Sequence, residues 1–358
     1  MIKNIKKVLN FLTTERIFKI MRGRYNQHLK KYPNLAGFTF DVLSLKVSLS
    51  GRFENDELII LEKEVFSKID CSNSSCLDIG ANIGNHSVFF ASFFHNVDCF
   101  EPQPDNYYLL KFNSRKFDNI RTFSFGSSDI DEEKYIYTHN EADTGSSTIE
   151  NTKNFNDMLK IKNKDKIKSK FKVKLKNLDN FLNNNKLKKI SFIKIDVEGN
   201  EYKSLVGLKN TIAQDSPIIA LEQLEEQFDK VTKKTDSIEF LRQNNYNFFY
   251  EPIFYKRKRS KNKIINEIKK LIFLLQMTFN LKKNNQYSLK KIENFEIAGY
   301  SMILASKIDI MNIKVSTSGS SPEDRGYKSI SSVSTQTTTL NESFTPKSKL
   351  FNKTVFKK

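Results

Sequence analysis

The chain has 358 residues, a net charge of +18 and three cysteines, Cys71, Cys76 and Cys99, so it can bury a substantial core as one large domain or two small ones. So few cysteines, with no His/Cys cluster at zinc spacing, exclude a disulfide framework and a zinc motif and set a reducing compartment, the cytoplasm, as the expectation. No apolar stretch approaches the length of a membrane span, and the lysine-interrupted start lacks a signal-peptide core.

The positive charge is local. Residues 1–50 carry ten Lys/Arg against Glu15 and Asp41, and residues 256–291 carry twelve against Glu267. The rest of the chain is therefore close to neutral, which argues against a positively charged catalytic surface.

In chain order, 1–35 read as one or two basic helices with Val8, Leu9, Phe11, Leu12, Ile17 and Ile20 on one side. Short extended segments are expected at 38–43 and 46–49, then a helix over 56–69. From Ser75 strand and helix alternate, with strands at 75–79, 97–101, 120–125, 191–196 and 218–222. That alternation predicts a parallel sheet covered by helices on both faces. Pro102 and Pro104 stop the second strand. Residues 130–185 read as a polar loop (139–152) and a lysine- and asparagine-rich stretch. A helix over 235–244, a strand over 246–255 and a last strand over 295–306 follow. Between those two strands, 261–281 form an inserted helix with Ile264, Ile268, Leu271, Ile272, Leu275 and Phe279 at helical spacing. From about residue 315 the chain is Ser/Thr-rich with little to bury, and disorder is expected.

The first strand runs into Asp78-Ile-Gly80-Ala-Asn82-Ile-Gly84, and the second ends on an isolated acid, Glu101. Glycines let a backbone turn tightly and approach a ligand, and an acid at a strand tip can accept hydrogen bonds from both hydroxyls of a ribose. A dinucleotide site would read G-x-G-x-x-G with helix amides facing a pyrophosphate. Here a carboxylate stands two residues before the first glycine, which repels a pyrophosphate and suits an ammonium group. S-adenosylmethionine, with a ribose, an amino-acid head and no phosphate, fits better than NAD.

The segments 76–91, 99–113, 146–148, 176–182, 190–208 and 217–222 occur in an order that resembles the FkbM family of S-adenosylmethionine-dependent O-methyltransferases. The resemblance covers about 70–305, and Lys194-Ile-Asp-Val-Glu-Gly199 is its most specific element. It implies an α/β fold, a Rossmann-like seven-stranded methyltransferase sheet, with S-adenosylmethionine as donor and a hydroxyl of a sugar, glycolipid or secondary metabolite as acceptor. The expected division is a basic N-terminal region (1–70), a methyltransferase domain (71–310) with a basic insertion (256–291), and a tail (311–358).

Methyl transfer is an in-line displacement in which the protein aligns the reactants and helps remove a proton. Asp78 is assigned to the methionine amino group, with turn capping as its alternative. Gly80 and Gly84 serve close approach or helix packing, and Asn82 serves the amino-acid head or the turn. Glu101 is assigned to the ribose. Asp129 lies where such enzymes often bind the adenine amino group, though Ser-Ser-Asp is also ordinary turn chemistry. Asp196 and Glu198, at the carboxyl edge of the sheet, are the catalytic candidates. One of them can take or orient the acceptor proton; the bland reading puts Glu198 and Gly199 at the start of the next helix. A divalent metal held with Glu222 is chemically conceivable but not expected. Lys194 is odd in a central strand and can pair with a nearby acid; His86 and His139 are base candidates by chemistry only, with a helix surface and a loop as their expected places.

A nucleic-acid methyltransferase is the competing enzyme reading, disfavoured because no Asn/Asp-Pro-Pro-aromatic motif or aromatic-interleaved basic module is present. A non-catalytic membrane-associated scaffold is the alternative from another class. Residues 1–22 and 261–281 combine apolar sides with lysines and fit peripheral contact with an anionic membrane, or a lid packed on the core. The acceptor and the oligomeric state are not readable.

Overall fold

The computed structural model describes residues 41–138, 147–149, 169–185, 187–253 and 287–313, with further positions scattered from 15 to 39. The expected helix at 261–281, the tail from 315, His139 and most of 1–22 lie outside the described residues.

Strand β1 (Ser75–Ile79) is buried along its whole length, as a parallel strand covered on both faces must be. It pairs in parallel with β2 (Asn96–Phe100) on one side and β8 (Ile190–Ile195) on the other. Beyond these lie β3 (Ile120–Phe123) and β9 (Ile218–Gln223), also parallel. Next to β9, β12 (Tyr300–Ser306) runs antiparallel and is followed by β10 (Phe248–Ile253). Read by sheet position, this is the Rossmann-like order of a class I methyltransferase. The sheet has eight strands, not the seven expected. The extra strand, β11 (Ser288–Lys291), pairs antiparallel with β10 and covers an edge that would otherwise expose unpaired amides. Its sequence, Ser-Leu-Lys-Lys, buries only Leu289 and gives no strand signature within the basic segment.

Residues 38–49 differ from expectation too. Their apolar alternation reads as extended, yet α1 (Val42–Ser50) is helical. Asp41 Oδ2 accepts from Ser44 N at 2.8 Å, and Gly51 closes the helix at φ 82°. The two caps satisfy backbone groups that the alternation alone does not address. The helix expected over 56–69 is α2 (Asn55–Ile60), continued by a π turn (Leu61–Val65) and a 3₁₀ turn (Phe66–Lys68). Leu58, Leu61, Val65 and Phe66 join the core beside Phe89, Phe90 and Phe192. The Phe66 ring centroid lies 5.0 Å from that of Phe192, edge to face.

A second, four-stranded sheet occupies the region read as loop and polar stretch. It comprises β4 (Gly126–Ser128), β5 (Glu132–Thr138), β6 (Ser147–Ile149) and β7 (Ser169–Asn177), in the order β4-β7-β5-β6. Along β7, Phe171, Val173 and Leu175 pack with Ile136 and Ile149, while the intervening lysines face outward. Its apolar face forms one wall of the cavity described next. Among the described residues no helix is long and apolar enough to cross a membrane.

Candidate active site

A cavity of about 310 Å³ opens where β1, β2, β8 and β9 end. Its floor is the glycine turn after β1. Gly80 has φ 79°, and a Cβ there would lie 1.8 Å from the carbonyl oxygen of Asp196. Only glycine lets the two strand ends approach this closely. Gly80→Ala is therefore expected to push β1 and β8 apart, lowering the thermal midpoint by several degrees and abolishing cofactor binding; differential scanning calorimetry and ligand titration check both. Gly84 (φ 90°) is not part of the wall; its missing Cβ makes room for Leu110 Cδ1, which would lie 2.9 Å away, in α4 (Pro104–Ser114). Its role here is packing of α3 (Asn85–Phe90) on α4.

Asn82, at φ 50°, accepts from Ile83 N at 2.7 Å through Oδ1 and donates its own N–H to Glu101 Oε2 at 2.8 Å. Glu101 Oε1 accepts from Gln103 N at 2.8 Å. Burial pushes the Glu101 carboxyl up to about 7, and the two amides offset only part of that. Each of its oxygens takes one amide and keeps a lone pair for a ribose hydroxyl. Glu101 at the strand tip and the closely approaching Gly80 backbone both fit an adenosine-type cofactor.

The far end of the cavity is ionic. Lys194 Nζ lies 3.1 Å from Asp196 Oδ2 and 3.6 Å from Asp78 Oδ1, and donates to Gly80 O at 3.0 Å. Burial would lower the pKa of this ammonium, but Asp196 and Asp78 outweigh it and hold it above its usual value. Asp196 lies deep in the molecule, yet 37 % of its side chain faces the cavity. Burial works to raise its pKa, and Lys194 reverses that to a net lowering. Glu222 goes the other way: burial and the charges of Asp196, Glu198 and Glu201 raise its carboxyl far above the usual range, which favours its protonated form. Asp196, Glu198 and Glu222 offer oxygens within 4.8 Å of one another, a spacing that suits a divalent cation. Here Lys194 already balances part of that charge.

The candidates divide as follows. Gly80, Asn82, Glu101, Asp196 and Glu198 share the cavity wall. Asp78 does not reach it: fully buried, it takes a hydrogen bond from Ser87 Oγ at 2.6 Å and sits against Lys194, which does line the wall. Asp129 also stands off the wall, with Lys203 Nζ 3.8 Å away, and Gly126 and Ser127 occupy the wall at that strand. Glu198, at φ 54°, does not start the next helix. The fully buried Glu201 opens that helix, α6 (Glu201–Val206), and accepts from Val197 N and Gly199 N. Helices α5 (Leu178–Asn183) and α7 (Lys209–Asp215) lie outside the site, as does α8 (Asp236–Gln243). His86 is not on the surface, as the sequence suggests, but 6 % exposed and on the cavity wall. Lys46, Phe53 and Glu54 also line it, and nothing in the local sequence marks them.

Residues 78–250 match the Methyltransferase FkbM domain. That segment is an FkbM methyltransferase domain, and the protein is a methyltransferase. Its cofactor is S-adenosylmethionine. Solved structures similar to it include the methyltransferase FkbM of Methylobacillus flagellatus KT, at 14% identity and TM-score 0.32, covering 81% of this chain and 59% of that one. SMU.1697c of Streptococcus mutans, solved in complex with SAH, matches at 11% identity and TM-score 0.34 over 69% of this chain and 97% of that one. The precorrin-6y C5,15-methyltransferase of Geobacter metallireducens GS-15 matches at 11% and 0.33, over 70% and 86%. No curated protein sequence matches the chain. The part of the cavity built by Val42, Leu43, Lys46, Phe53 and Glu54 falls outside the matched FkbM segment.

Proposed function

We propose that this methyltransferase transfers a methyl group to a hydroxyl oxygen of a sugar, glycolipid or secondary metabolite. The observation that carries the cofactor end is Glu101, a buried strand-tip carboxylate on the cavity wall with both oxygens still able to accept from a diol. S-adenosylmethionine supplies an electrophilic methyl group on a cationic sulfur. Glu101 holds the ribose, Gly80 gives close backbone approach, and Asn82 orients the turn and the amino-acid head. Asp78 acts on that head through Lys194 and the turn backbone.

Asp196 and Glu198, on the wall of the same cavity, orient the acceptor hydroxyl. The apolar wall of Ile136, Ile149 and Leu175 excludes water from the reacting groups. Peripheral contact with an anionic membrane through 1–22 and 261–281 is part of this reading where the acceptor is a glycolipid. Calorimetric titration of S-adenosylhomocysteine, with NAD as control, tests the cofactor end. Micromolar binding without an NAD signal supports it, and a well-folded protein that binds no S-adenosylhomocysteine overturns it.

A further inference from the structure

We propose that His86, held by Glu54, takes the proton of the acceptor hydroxyl during methyl transfer. This rests on the O-methyltransferase reading above and names the base for it.

His86 stands in the first turn of α3 with its ring on the cavity wall. Its Nε2 is sealed from solvent and lies 3.3 Å from Glu54 Oε2, an ion-pair distance without hydrogen-bond geometry. If Glu54 draws the imidazole proton to Nε2, Nδ1 keeps a lone pair for a group in the cavity that the ring lines. Glu54 is built for this contact. It sits at φ 51°, a left-handed conformation that costs a glutamate about 1 kcal/mol or more. At the N-cap of α2 it makes no capping hydrogen bond, so helix capping does not explain the strain. The strain is held from outside: Phe53 N donates to Asn85 Oδ1 at 3.0 Å, and Asn85 Nδ2 donates to Phe53 O at 3.1 Å. Residues 53 and 54 are thereby clamped onto 85 and 86.

Two of the acids around the cavity are poorer bases. Asp196 is paired with Lys194 3.1 Å away, and burial with the neighbouring carboxylates raises Glu222 so that its protonated form is favoured. The charged groups acting on His86 are Glu54, from the segment before α2, and Asp196, from the end of β8; Phe90 in its own helix lies tilted against its ring at 6.0 Å. In the step, the hydroxyl O–H bond breaks and the proton passes to Nδ1. The oxygen pair forms the new O–C bond while the C–S bond breaks with its pair left on sulfur. The positive charge thus moves from sulfonium to imidazolium, where Glu54 stabilises it.

The test uses the full chain in two arms. In ¹⁵N imidazole spectra of the S-adenosylhomocysteine complex at alkaline pH, His86 is expected as the neutral tautomer protonated at Nε2; a proton on Nδ1 overturns the proposal, and this arm needs no acceptor. In the second arm, tritiated S-adenosylmethionine and a mixture of methyl glycosides report transfer. His86→Ala is expected to lose about 10²–10⁴-fold in kcat with S-adenosylhomocysteine affinity unchanged, and added imidazole should restore part of the rate. A full rate in His86→Ala, or a loss that imidazole does not touch, overturns the proposal while leaving the cofactor reading intact. Absence of S-adenosylhomocysteine binding in the wild type would instead overturn the function itself.

Discussion

Glu101→Gln is expected to weaken S-adenosylhomocysteine binding by about 10²-fold or more, the loss of two charge-assisted hydrogen bonds to a ribose diol. Glutamine has one acceptor oxygen, so it cannot take both Asn82 N and Gln103 N and still face the diol. The wild-type affinity should also depend on pH in one direction. In the empty site the carboxyl stands at about 7, and hydroxyl donors favour its charged form. Cofactor binding therefore expels a proton below that value. The dissociation constant should rise by up to about tenfold per pH unit as pH falls below 7, and should be level above it. Calorimetry from pH 5.5 to 8.5 reads this directly. A flat wild-type profile would show that Glu101 does not meet the ribose, whereas a flat profile in the glutamine variant is required.

Lys194→Met is expected to lower unfolding stability by about 3–5 kcal/mol, the cost of leaving buried carboxylates without their counter-charge. Asp78 is fully buried, and its Oδ1 has no hydrogen-bond donor, only the ammonium at 3.6 Å. Asp196 would lose its partner at 3.1 Å as well. The diagnostic is the double variant. Adding Asp78→Asn to Lys194→Met removes one stranded charge and should recover part of the loss in a urea titration. Two independent, additive losses would show that Lys194 balances Asp196 alone.

Much of this site is legible because its chemistry sits at strand ends. Gly80, Glu101 and Asp196 each follow an apolar run, and in a parallel sheet the carboxyl ends of adjacent strands converge on one edge. Lys194 shows itself as the one charged residue in an apolar strand, and the structure pairs it with the acids on either side. The four-stranded sheet was legible in principle. Residues 170–176 alternate lysine with Phe171, Val173 and Leu175, a period of two that the lysine and asparagine content of the surrounding stretch obscures. His86 and Glu54 were not legible as a pair. They lie 32 positions apart and meet only because Asn85 fastens the turn before α2 to the start of α3.

The sequence by itself determined the parallel α/β core, the cofactor turn and the acid that follows it. These depend on local hydrophobic periodicity and on glycine backbone freedom, which neighbouring residues specify. Which acids meet Lys194, and at what depth, is set by packing across strands. Asp78, Asp196 and Glu222 are alike as residue types, yet one is sealed against Lys194, one shares that lysine at the cavity surface and one has its carboxyl raised by burial and neighbouring acids. Charge state follows from distance and burial across strands, and those are set by packing between segments far apart in the chain.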